Sequence, residues 1–146
     1  MKESAGIVIR LNKSKLLLCR PTNQFKTKSS NDTLWGPPKG GIEFGEKPID
    51  TAIRETREEI GIKIKKEQIK NQKPIVVRYA NKNGSIYKKV HLFIVDIDSV
   101  SQIGLDSEEV PQNLLQIEEI DKAYFMDKSE SKYKLSHRFA VLLDLI

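Results

Sequence analysis

Two stretches in the first hundred residues have the hydrophobic pattern of β-hairpins. Residues 5–11 and 15–20 are largely apolar with three polar residues between them, which predicts two strands joined by a tight turn at residues 12–14. Residues 73–80 and 86–97 predict a second, longer hairpin whose turn contains Asn83 and Gly84. From Val90 to Ile97 the residues are nearly continuously apolar, which is typical of a strand covered on both faces.

Between residues 48 and 61 the hydrophobic period changes from that of a strand to that of a helix. Pro48 is compatible with the first turn of a helix, and Gly61 suits the left-handed residue that commonly follows the last turn. The other face of this predicted helix is acidic and therefore faces solvent or a cleft. Residues at helical spacing predict its buried stripe: Ile49, Ala52, Ile53, Thr56 and Ile60.

The rest of the chain adds one strand, one helix and two irregular segments. Residues 21–33 are polar without periodicity and predict a loop, and residues 98–118 predict a long irregular connection. Residues 123–126 predict a short strand. Mixed strands with two helices predict an α/β fold in which a sheet lies between helices. Residues 131–146 predict a terminal helix with a docking stripe: Leu135, Phe139, Leu142, Leu143 and Ile146.

Length and composition are those of one small globular domain. The chain has 146 residues, of which 38% are hydrophobic and 31% charged, and we expect a single domain over residues 1–146. No apolar run approaches the ~18 residues of a membrane span, and the first residues lack the pattern of a signal peptide. We therefore expect no membrane partner and, by default, a cytoplasmic protein. The one cysteine, Cys19, excludes an internal disulfide and is expected to be a buried strand residue.

Three glutamates of the predicted helix lie within one turn. At about 100° per residue, Glu55, Glu58 and Glu59 span only about 100° of the helix circumference and point to one region of space. Like charges at these spacings destabilise an isolated helix, so we expect a cation among them. Carboxylate oxygens suit Mg²⁺ or Mn²⁺ rather than Zn²⁺. Taken alone, the cluster is also compatible with a solvated acidic surface.

The spacing of glycines and charged residues around these glutamates is specific. Gly40 is followed after five residues by Glu46, and after seven more by the run RETREEIGI at residues 54–62. Over residues 40–62 the pattern resembles the complete signature of the Nudix hydrolase family, although the family more often has an aliphatic residue at the position of Thr56. The resemblance implies a Nudix α/β/α sandwich with a mixed sheet, the signature as a loop-helix unit, and a C-terminal helix.

The resemblance also implies a metal site and a base. Glu55, Glu58 and Glu59 match the metal ligands of the family, together with the backbone carbonyl of Lys39. Glu55 or Glu58 matches the base that activates water, and the resemblance does not choose between them. A diphosphate ester hydrolyses slowly, so its catalyst must neutralise the phosphate oxygens, polarise phosphorus and deliver a water in line. Divalent cations held by carboxylates supply these functions.

Three further residues of the signature have implied supporting roles. Arg54 would pair with Glu46, which would lock the loop onto the helix and orient the glutamates. Arg54 therefore belongs to the catalytic group through the carboxylates that it orients, and not as a phosphate ligand. Gly61 would terminate the helix, and we count Glu46 and Gly61 as structural residues.

A fourth carboxylate is expected from the segment before the last predicted strand. Residues 116–125 resemble the family stretch in which a glutamate lies about six residues before an aromatic residue. Counting back from Phe125 gives Glu119 as an additional metal ligand or base, whereas counting from Tyr124 gives Glu118. An exposed acidic loop without a catalytic role is the alternative.

The residues before the signature and several aromatic residues are candidates for substrate binding. Residues 35–40 (WGPPKG) resemble the entry loop of Nudix enzymes that cleave dinucleoside polyphosphates, such as diadenosine tetraphosphate hydrolases, and of related enzymes acting on triphosphate ends of RNA. We expect Lys39, Gly40 and Gly41 to meet the phosphates; alternatively, the prolines only stiffen the loop over Trp35. The aromatic residues considered for stacking on a base are Tyr87, Tyr124, Phe25 and Tyr79.

The formal net charge is +5 although the signature helix is acidic, so lysines elsewhere carry the excess. They would steer a polyanion toward the metals, but a lysine-rich surface without this role is the plainer explanation. His91 and His137 lack a partner pattern and are expected to be structural. The lysines concerned are Lys26, Lys28, Lys63, Lys65, Lys66, Lys70, Lys82, Lys88 and Lys89.

These features predict a metal-dependent hydrolase of a pyrophosphate bond in a nucleoside diphosphate linked to another moiety. Mg²⁺ is the expected cofactor, with Mn²⁺ as a substitute. The leading substrate is a dinucleoside polyphosphate of the diadenosine tetraphosphate type, and the alternative is a nucleoside triphosphate or an RNA 5′ end. A different class, a non-catalytic module that binds a nucleotide or RNA, has no need for all three glutamates. A monomer and a homodimer both remain open.

Overall fold

The computed structural model describes residues 1–22 and 31–146. Neither α-helix of these residues has the length and hydropathy that crossing a membrane requires. Phe25, Lys26 and Lys28 lie outside the described residues. The strands are β1 (Lys2–Leu11), β2 (Lys15–Pro21), β3 (Lys39–Gly41), β4 (Ile75–Ala80), β5 (Ile86–Ile97) and β6 (Ile120–Asp127), and the α-helices are α1 (Pro48–Ile60) and α2 (Lys128–Lys134). Short 3-10 segments lie at Asn31–Thr33, Lys66–Gln68, Val100–Ile103, Gln112–Leu114 and His137–Leu145.

Strand β1 is the centre of a mixed sheet with the order β4-β5-β1-β2-β6. One edge of β1 pairs in parallel with β5 along its whole length. The other edge is shared, because residues 4–6 pair antiparallel with β3 and residues 10–11 with β2. The remaining pairs, β2 with β6 and β4 with β5, are antiparallel. The separation of β2 from β1 thus leaves an edge at which β3 enters beside α1.

Both predicted hairpins are present. Asn12 and Lys13 adopt φ values of 51° and 57° in the tight turn after β1, and β4 begins at Ile75 rather than at residue 73. Strand β6 is longer than the predicted segment 123–126. Strand β3 was not predicted, since it has three residues of which two are glycines and therefore carries no hydrophobic pattern.

The two faces of the sheet carry separate cores, as period-two alternation requires. On one face Ala5, Ile7 and Ile9 of β1 pack with the buried residues of α1. On the other face Val8 packs with Trp35 and with the segments that follow β6. The predicted α/β/α sandwich with a mixed sheet is therefore confirmed.

Helix α1 has the bounds that its sequence signals indicate. Pro48 is its first residue, and Gly61 follows it with φ = 69° and donates its N–H to the carbonyl of Arg57. Thr56 is fully buried, and its hydroxyl donates to the carbonyl of Ala52 at 2.8 Å, so the unusual threonine leaves no unpaired polar atom in the core. The predicted stripe packs on the sheet, which leaves the glutamates at the edge beside β3.

A C-terminal helix is present, but its bounds differ from the predicted residues 131–146. Helix α2 ends at Lys134 because Leu135 is extended, with φ = −67° and ψ = 131°, and forms an isolated bridge with Trp35. The N–H of Trp35 donates to the carbonyl of Lys134, and the N–H of Ser136 donates to the carbonyl of Trp35. A 3-10 segment with a kink at Phe139 follows. The apolar stripe still packs on the sheet, but its residues come from the extended Leu135 and from the 3-10 segment instead of from one helix.

Candidate active site

Glycines allow strand β3 to lie directly against the acidic face of α1. A Cβ atom added to Gly40 would lie 2.0 Å from Cδ of Glu55, so the Glu55 carboxylate rests on the backbone of β3. A Cβ atom added to Gly6 would lie 2.2 Å from the carbonyl oxygen of Pro38, so β1 needs a glycine opposite the entry into β3. Gly41 has open space around it. The first glycine of the signature is therefore required by close packing against a functional carboxylate.

Arg54 lies at the centre of the carboxylate cluster. Its Nε and Nη2 donate to the two oxygens of Glu46 at 2.8 and 2.9 Å, and Nη2 also donates to the carbonyl of Gly41 at 3.1 Å. Its Nη1 donates to Oε1 of Glu55 at 2.9 Å and to Oε2 of Glu58 at 3.2 Å. One planar group thus links the loop, β3 and two glutamates of the helix.

Glu46, the loop residue of this network, is held in its ionised form. Thr51 donates its hydroxyl to Oε1 of Glu46 at 2.6 Å, and the N–H of Glu43 donates to the same oxygen at 3.2 Å. The hydrogen bonds from Arg54 and Thr51 lower the pKa of Glu46 to about 2. The same ion pair raises the pKa of Arg54. Glu46 is therefore a fixed charge that anchors the arginine.

Glu59 is the buried member of the cluster. Its side chain is 6% exposed, and its Oε1 accepts the backbone N–H of Lys39 at 2.9 Å. Burial raises the pKa of Glu59 to about 8; the N–H of Lys39 opposes this shift and the carboxyl of Glu119 reinforces it. The nearby Cys19 thiol is also buried, which raises its pKa and makes it a core residue, as predicted.

Glu55 and Glu58 differ in exposure. Glu55 is partly buried, and its pKa is raised by burial and lowered by Arg54, with Glu58 and Glu119 adding repulsion. The side chain of Glu58 is 46% exposed and contacts Arg54. Both carboxylates therefore accept from the same guanidinium nitrogen, the partly buried Glu55 from inside the site and the exposed Glu58 from its rim.

A turn before β6 brings Glu119 into the electrostatic environment of the cluster. The N–H of Gln116 donates to the backbone carbonyl of Glu59 at 2.8 Å, and the N–H of Glu119 donates to the carbonyl of Gln116 at 2.9 Å. The turn is thereby tied to the end of α1. Glu119 raises the pKa of both Glu55 and Glu59.

A cleft of about 260 Å³ has Glu59 in its lining. We call it the inner cleft. Nζ of Lys39 lies 5.9 Å from the ring centroid of Phe139, and the rings of Tyr79 and Phe139 meet edge to face at 6.3 Å. The inner cleft therefore has an acidic end at Glu59 and a wall of aromatic rings and cations. Its lining includes Pro37, Lys39, Glu59, Tyr79, Arg138 and Phe139.

The other predicted aromatic residues lie elsewhere. Tyr87 lies beside Tyr79 but not in the inner cleft. Tyr124 packs edge to face on Trp35 at 5.1 Å, and its hydroxyl contacts Glu130 and Lys134. The ring and hydroxyl of Tyr124 are thus both engaged by neighbouring side chains, and its role in substrate binding stays a prediction. His91 is paired with Glu3 at 3.0 Å, and His137 is exposed.

Sequence reasoning missed Arg138 and Phe139 as residues of the cleft. They lie in the C-terminal 3-10 segment, about eighty residues from the signature along the chain. The only signal was the position of Phe139 on the docking stripe, which indicated packing rather than a cleft.

Residues 1–139 match the family model of the NUDIX domain. The chain belongs to the Nudix family. An RNA pyrophosphohydrolase from Ruthia magnifica subsp. Calyptogena magnifica is 35% identical over 78 residues, which are 53% of this chain and 39% of that protein. An asymmetrical bis(5′-nucleosyl)-tetraphosphatase from Mus musculus is 46% identical over 43 residues, 28% of this chain and 29% of that protein. The matches thus span less than half the length of these curated relatives.

The Nudix fold extends over the whole described structure. A C. elegans Ap4A hydrolase, solved as a binary complex, superposes with a TM-score of 0.64 and 24% identity, covering 99% of this chain and 94% of that chain. At this identity the superposition establishes the fold.

Nudix hydrolases generally depend on divalent metal ions, and the cluster fits one. Its donors are all oxygens, and a cation would relieve the repulsion around the buried Glu59. As the side chains stand, Arg54 Nη1 is the cation between Glu55 and Glu58, and no three acidic, histidine or cysteine side chains of residues 1–22 and 31–146 converge on one metal position. Metal binding would require side chains of the cluster to reorient, and Glu58 and Glu119 are its exposed carboxylates.

Proposed function

We propose that this Nudix chain hydrolyses a pyrophosphate bond in a nucleotide, with Mg²⁺ as the divalent cation. The observation that carries the proposal is that the acidic face of α1 reaches from Glu55 and Glu58, which Arg54 contacts, to Glu59, which lines the inner cleft. Glu55, Glu58, Glu59 and Glu119, with the backbone carbonyl of Lys39, would hold the cation. Mn²⁺ offers the same preference for oxygen ligands.

The residues of the chain have distinct tasks in this reaction. A bound divalent cation neutralises phosphate oxygens and lowers the pKa of a coordinated water. Glu55 and Glu58 are placed to accept the proton of the attacking water, and Arg54 holds both carboxylates in position. Glu46 fixes Arg54 from the loop. Nζ of Lys39, at the mouth of the inner cleft, is placed to bind a phosphate oxygen of the substrate.

A dinucleoside polyphosphate is the leading substrate that we propose. Tyr79 and Phe139 give the inner cleft an aromatic wall on which a base can stack, and Lys39 gives it positive charge for a phosphate chain. The relative from Mus musculus and the C. elegans structure bear names of this substrate class. The second candidate is an RNA 5′ end, because the relative from Ruthia magnifica that aligns over 78 residues is named as an RNA pyrophosphohydrolase.

Product analysis with a nucleotide panel tests this proposal. Dinucleoside tetraphosphates, nucleoside triphosphates and 5′-triphosphorylated RNA are incubated with the protein and Mg²⁺ or Mn²⁺, and products are separated by chromatography. We expect cleavage of a pyrophosphate bond, fastest for the dinucleoside tetraphosphate. The absence of any cleavage with either metal would refute the enzymatic function and leave the non-catalytic binding module.

Two variants test the site within the same assay. Glu58→Gln should lower kcat by about 100-fold or more, because it removes a charge from the proposed metal and base site. Glu67→Gln is the matched control, since Glu67 is exposed in a 3-10 segment away from the cluster. Unchanged activity of Glu58→Gln, with both variants folded, would remove the site assignment.

A further inference from the structure

A second cleft, of about 830 Å³, adjoins the inner cleft. We call it the outer cleft. Tyr79 and Arg138 line both clefts, so the two spaces meet at this pair of side chains. The outer cleft is further lined by Lys2, Ile86, Tyr87 and Lys88.

Arg138 connects the two walls of the outer cleft. Its guanidinium carbon lies 4.4 Å from the ring centroid of Tyr79, and its Nη2 donates to the hydroxyl of Tyr87 at 3.1 Å. Nζ of Lys88 lies 5.2 Å from the same Tyr79 centroid. Cation–π contacts of this kind hold a charged group over a ring while its remaining donors stay available. Arg138 itself is exposed, so its donors are accessible to a ligand.

The outer cleft has positive charge without an acidic neighbour in its lining. Lys2, Lys88 and Arg138 face it, and its lining residues in the described part of the chain include no aspartate or glutamate. The pKa of Lys88 is lowered by burial and by the charges of Lys39, Lys2 and Arg138, which shows that these cations repel one another. Such a cluster attracts a polyanion.

The inner cleft is too small for a substrate with two nucleosides. Its volume of about 260 Å³ lies below the ~300–1,000 Å³ of typical small-molecule sites. A substrate that places a pyrophosphate near Glu59 and a nucleoside in the inner cleft must extend beyond it. The outer cleft is a contiguous space that offers both cations and aromatic rings, and it shares the ring of Tyr79 as well as Arg138 with the inner cleft.

From this arrangement we infer that the outer cleft binds the distal half of the substrate, a phosphate chain that ends in a second nucleoside. Arg138 determines this specificity: its guanidinium binds the distal phosphates, and Tyr87 offers a ring for the second base. This inference rests on the proposed function, and it explains how one chain would prefer a dinucleoside polyphosphate over a nucleoside triphosphate.

Kinetic discrimination between two substrates is the first test. Arg138→Ala should lower kcat/KM for a dinucleoside tetraphosphate about 10-fold or more and change kcat/KM for a nucleoside triphosphate less than about 3-fold. Arg78→Ala is the matched control, because Arg78 adjoins Tyr79 in β4 but its side chain points to the other face of the sheet. Equal losses for both substrates, or a loss only with 5′-triphosphorylated RNA, would overturn the inference while the proposed function stands.

A binding measurement separates failure of this inference from failure of the proposed function. Inorganic tripolyphosphate is titrated into the metal-free protein in EDTA by calorimetry, so that no turnover is needed. We expect binding that weakens with salt and weakens about 10-fold or more in Arg138→Ala but not in Arg78→Ala. If no nucleotide is hydrolysed, this titration still tests whether the outer cleft binds polyphosphate. Unchanged binding by Arg138→Ala refutes a polyphosphate site there. Thermal unfolding checks that both variants are folded.

Discussion

Arg54 bonds Glu46 through two nitrogens, and its third nitrogen donates to Glu55. Because the guanidinium is planar, the position of Glu46 sets the position of Nη1 and therefore that of the Glu55 carboxylate. Glu46 is in turn fixed by the hydroxyl of Thr51 at 2.6 Å. A loop residue thereby controls the geometry of a carboxylate on the helix.

Arg54→Lys tests whether this planar geometry matters. Lysine keeps the charge but cannot contact Glu46, Glu55 and Glu58 in one plane, so we expect kcat to fall about 10- to 100-fold while the fold is retained. Steady-state kinetics and circular dichroism measure the two effects. Arg57→Lys on the exposed face of the same helix is the control. An equal, small change in both variants would contradict an orienting role for Arg54.

The two glycines of β3 allow a matched pair of alanine substitutions. In Gly40→Ala the new Cβ would lie 2.0 Å from Cδ of Glu55, so the flexible carboxylate must move, whereas in Gly41→Ala the new Cβ meets nothing within 4 Å. A displaced carboxylate of about 1 Å can cost about 100-fold in rate. We therefore expect Gly40→Ala to lower kcat/KM by about that factor with a small change in the unfolding temperature, and Gly41→Ala to resemble the parent chain. A similar rate for both variants would show that the Glu55 carboxylate does not need this position.

The choice between Glu118 and Glu119 can be decided by magnesium dependence. Because Glu119 adds to the charge around Glu55 and Glu59, we expect Glu119→Gln to raise the Mg²⁺ concentration for half-maximal rate about 10-fold. Glu118→Gln removes the neighbouring exposed carboxylate and should raise this concentration less than Glu119→Gln does. Rates measured over a magnesium titration give the comparison, and a larger effect of Glu118→Gln would reverse the assignment.

The helix and its glutamates could be predicted from sequence because their signals are local. Spacing along α1 places Glu55, Glu58 and Glu59 together whatever the rest of the chain does, and Pro48 and Gly61 mark its ends. The strands of both hairpins are likewise marked by local signals, apolar runs bounded by turn residues. The fold class follows from these elements and from the resemblance.

The walls of the clefts could not be predicted because they come from distant segments. Tyr79 of β4 and Arg138 of the C-terminal 3-10 segment meet only after the sheet forms. Periodicity likewise could not show that Leu135 leaves the helix, since its extended backbone is held by Trp35, a hundred residues earlier. Tyr124 was a candidate for stacking on a base by residue type alone, and its hydroxyl contacts Glu130 and Lys134, which lie in a helix that begins at Lys128 and not at residue 131.

Burial of Glu59 predicts a specific pH dependence for the metal-free protein. Its pKa is about 8 in the folded state against an ordinary value of 4.5, so between these values the folded state binds a proton that the unfolded state has lost. The free energy of unfolding should therefore fall as pH rises from about 5 to 8, by on the order of a few kcal/mol. Glu59→Gln cannot ionise and should flatten this part of the profile. Urea unfolding in EDTA at several pH values measures it.

The same protonation links metal binding to pH. Since Glu59 must lose its proton to become a ligand, we expect Mg²⁺ affinity to rise with pH up to about 8, with proton release on binding near pH 7. Calorimetry in buffers of different ionisation enthalpy detects that proton. Glu67→Gln, which alters an exposed glutamate, should keep both the unfolding profile and the proton release. Parallel unfolding profiles for Glu59→Gln and the parent chain would show that Glu59 is ionised in the folded protein, and would remove the link between its burial and metal binding.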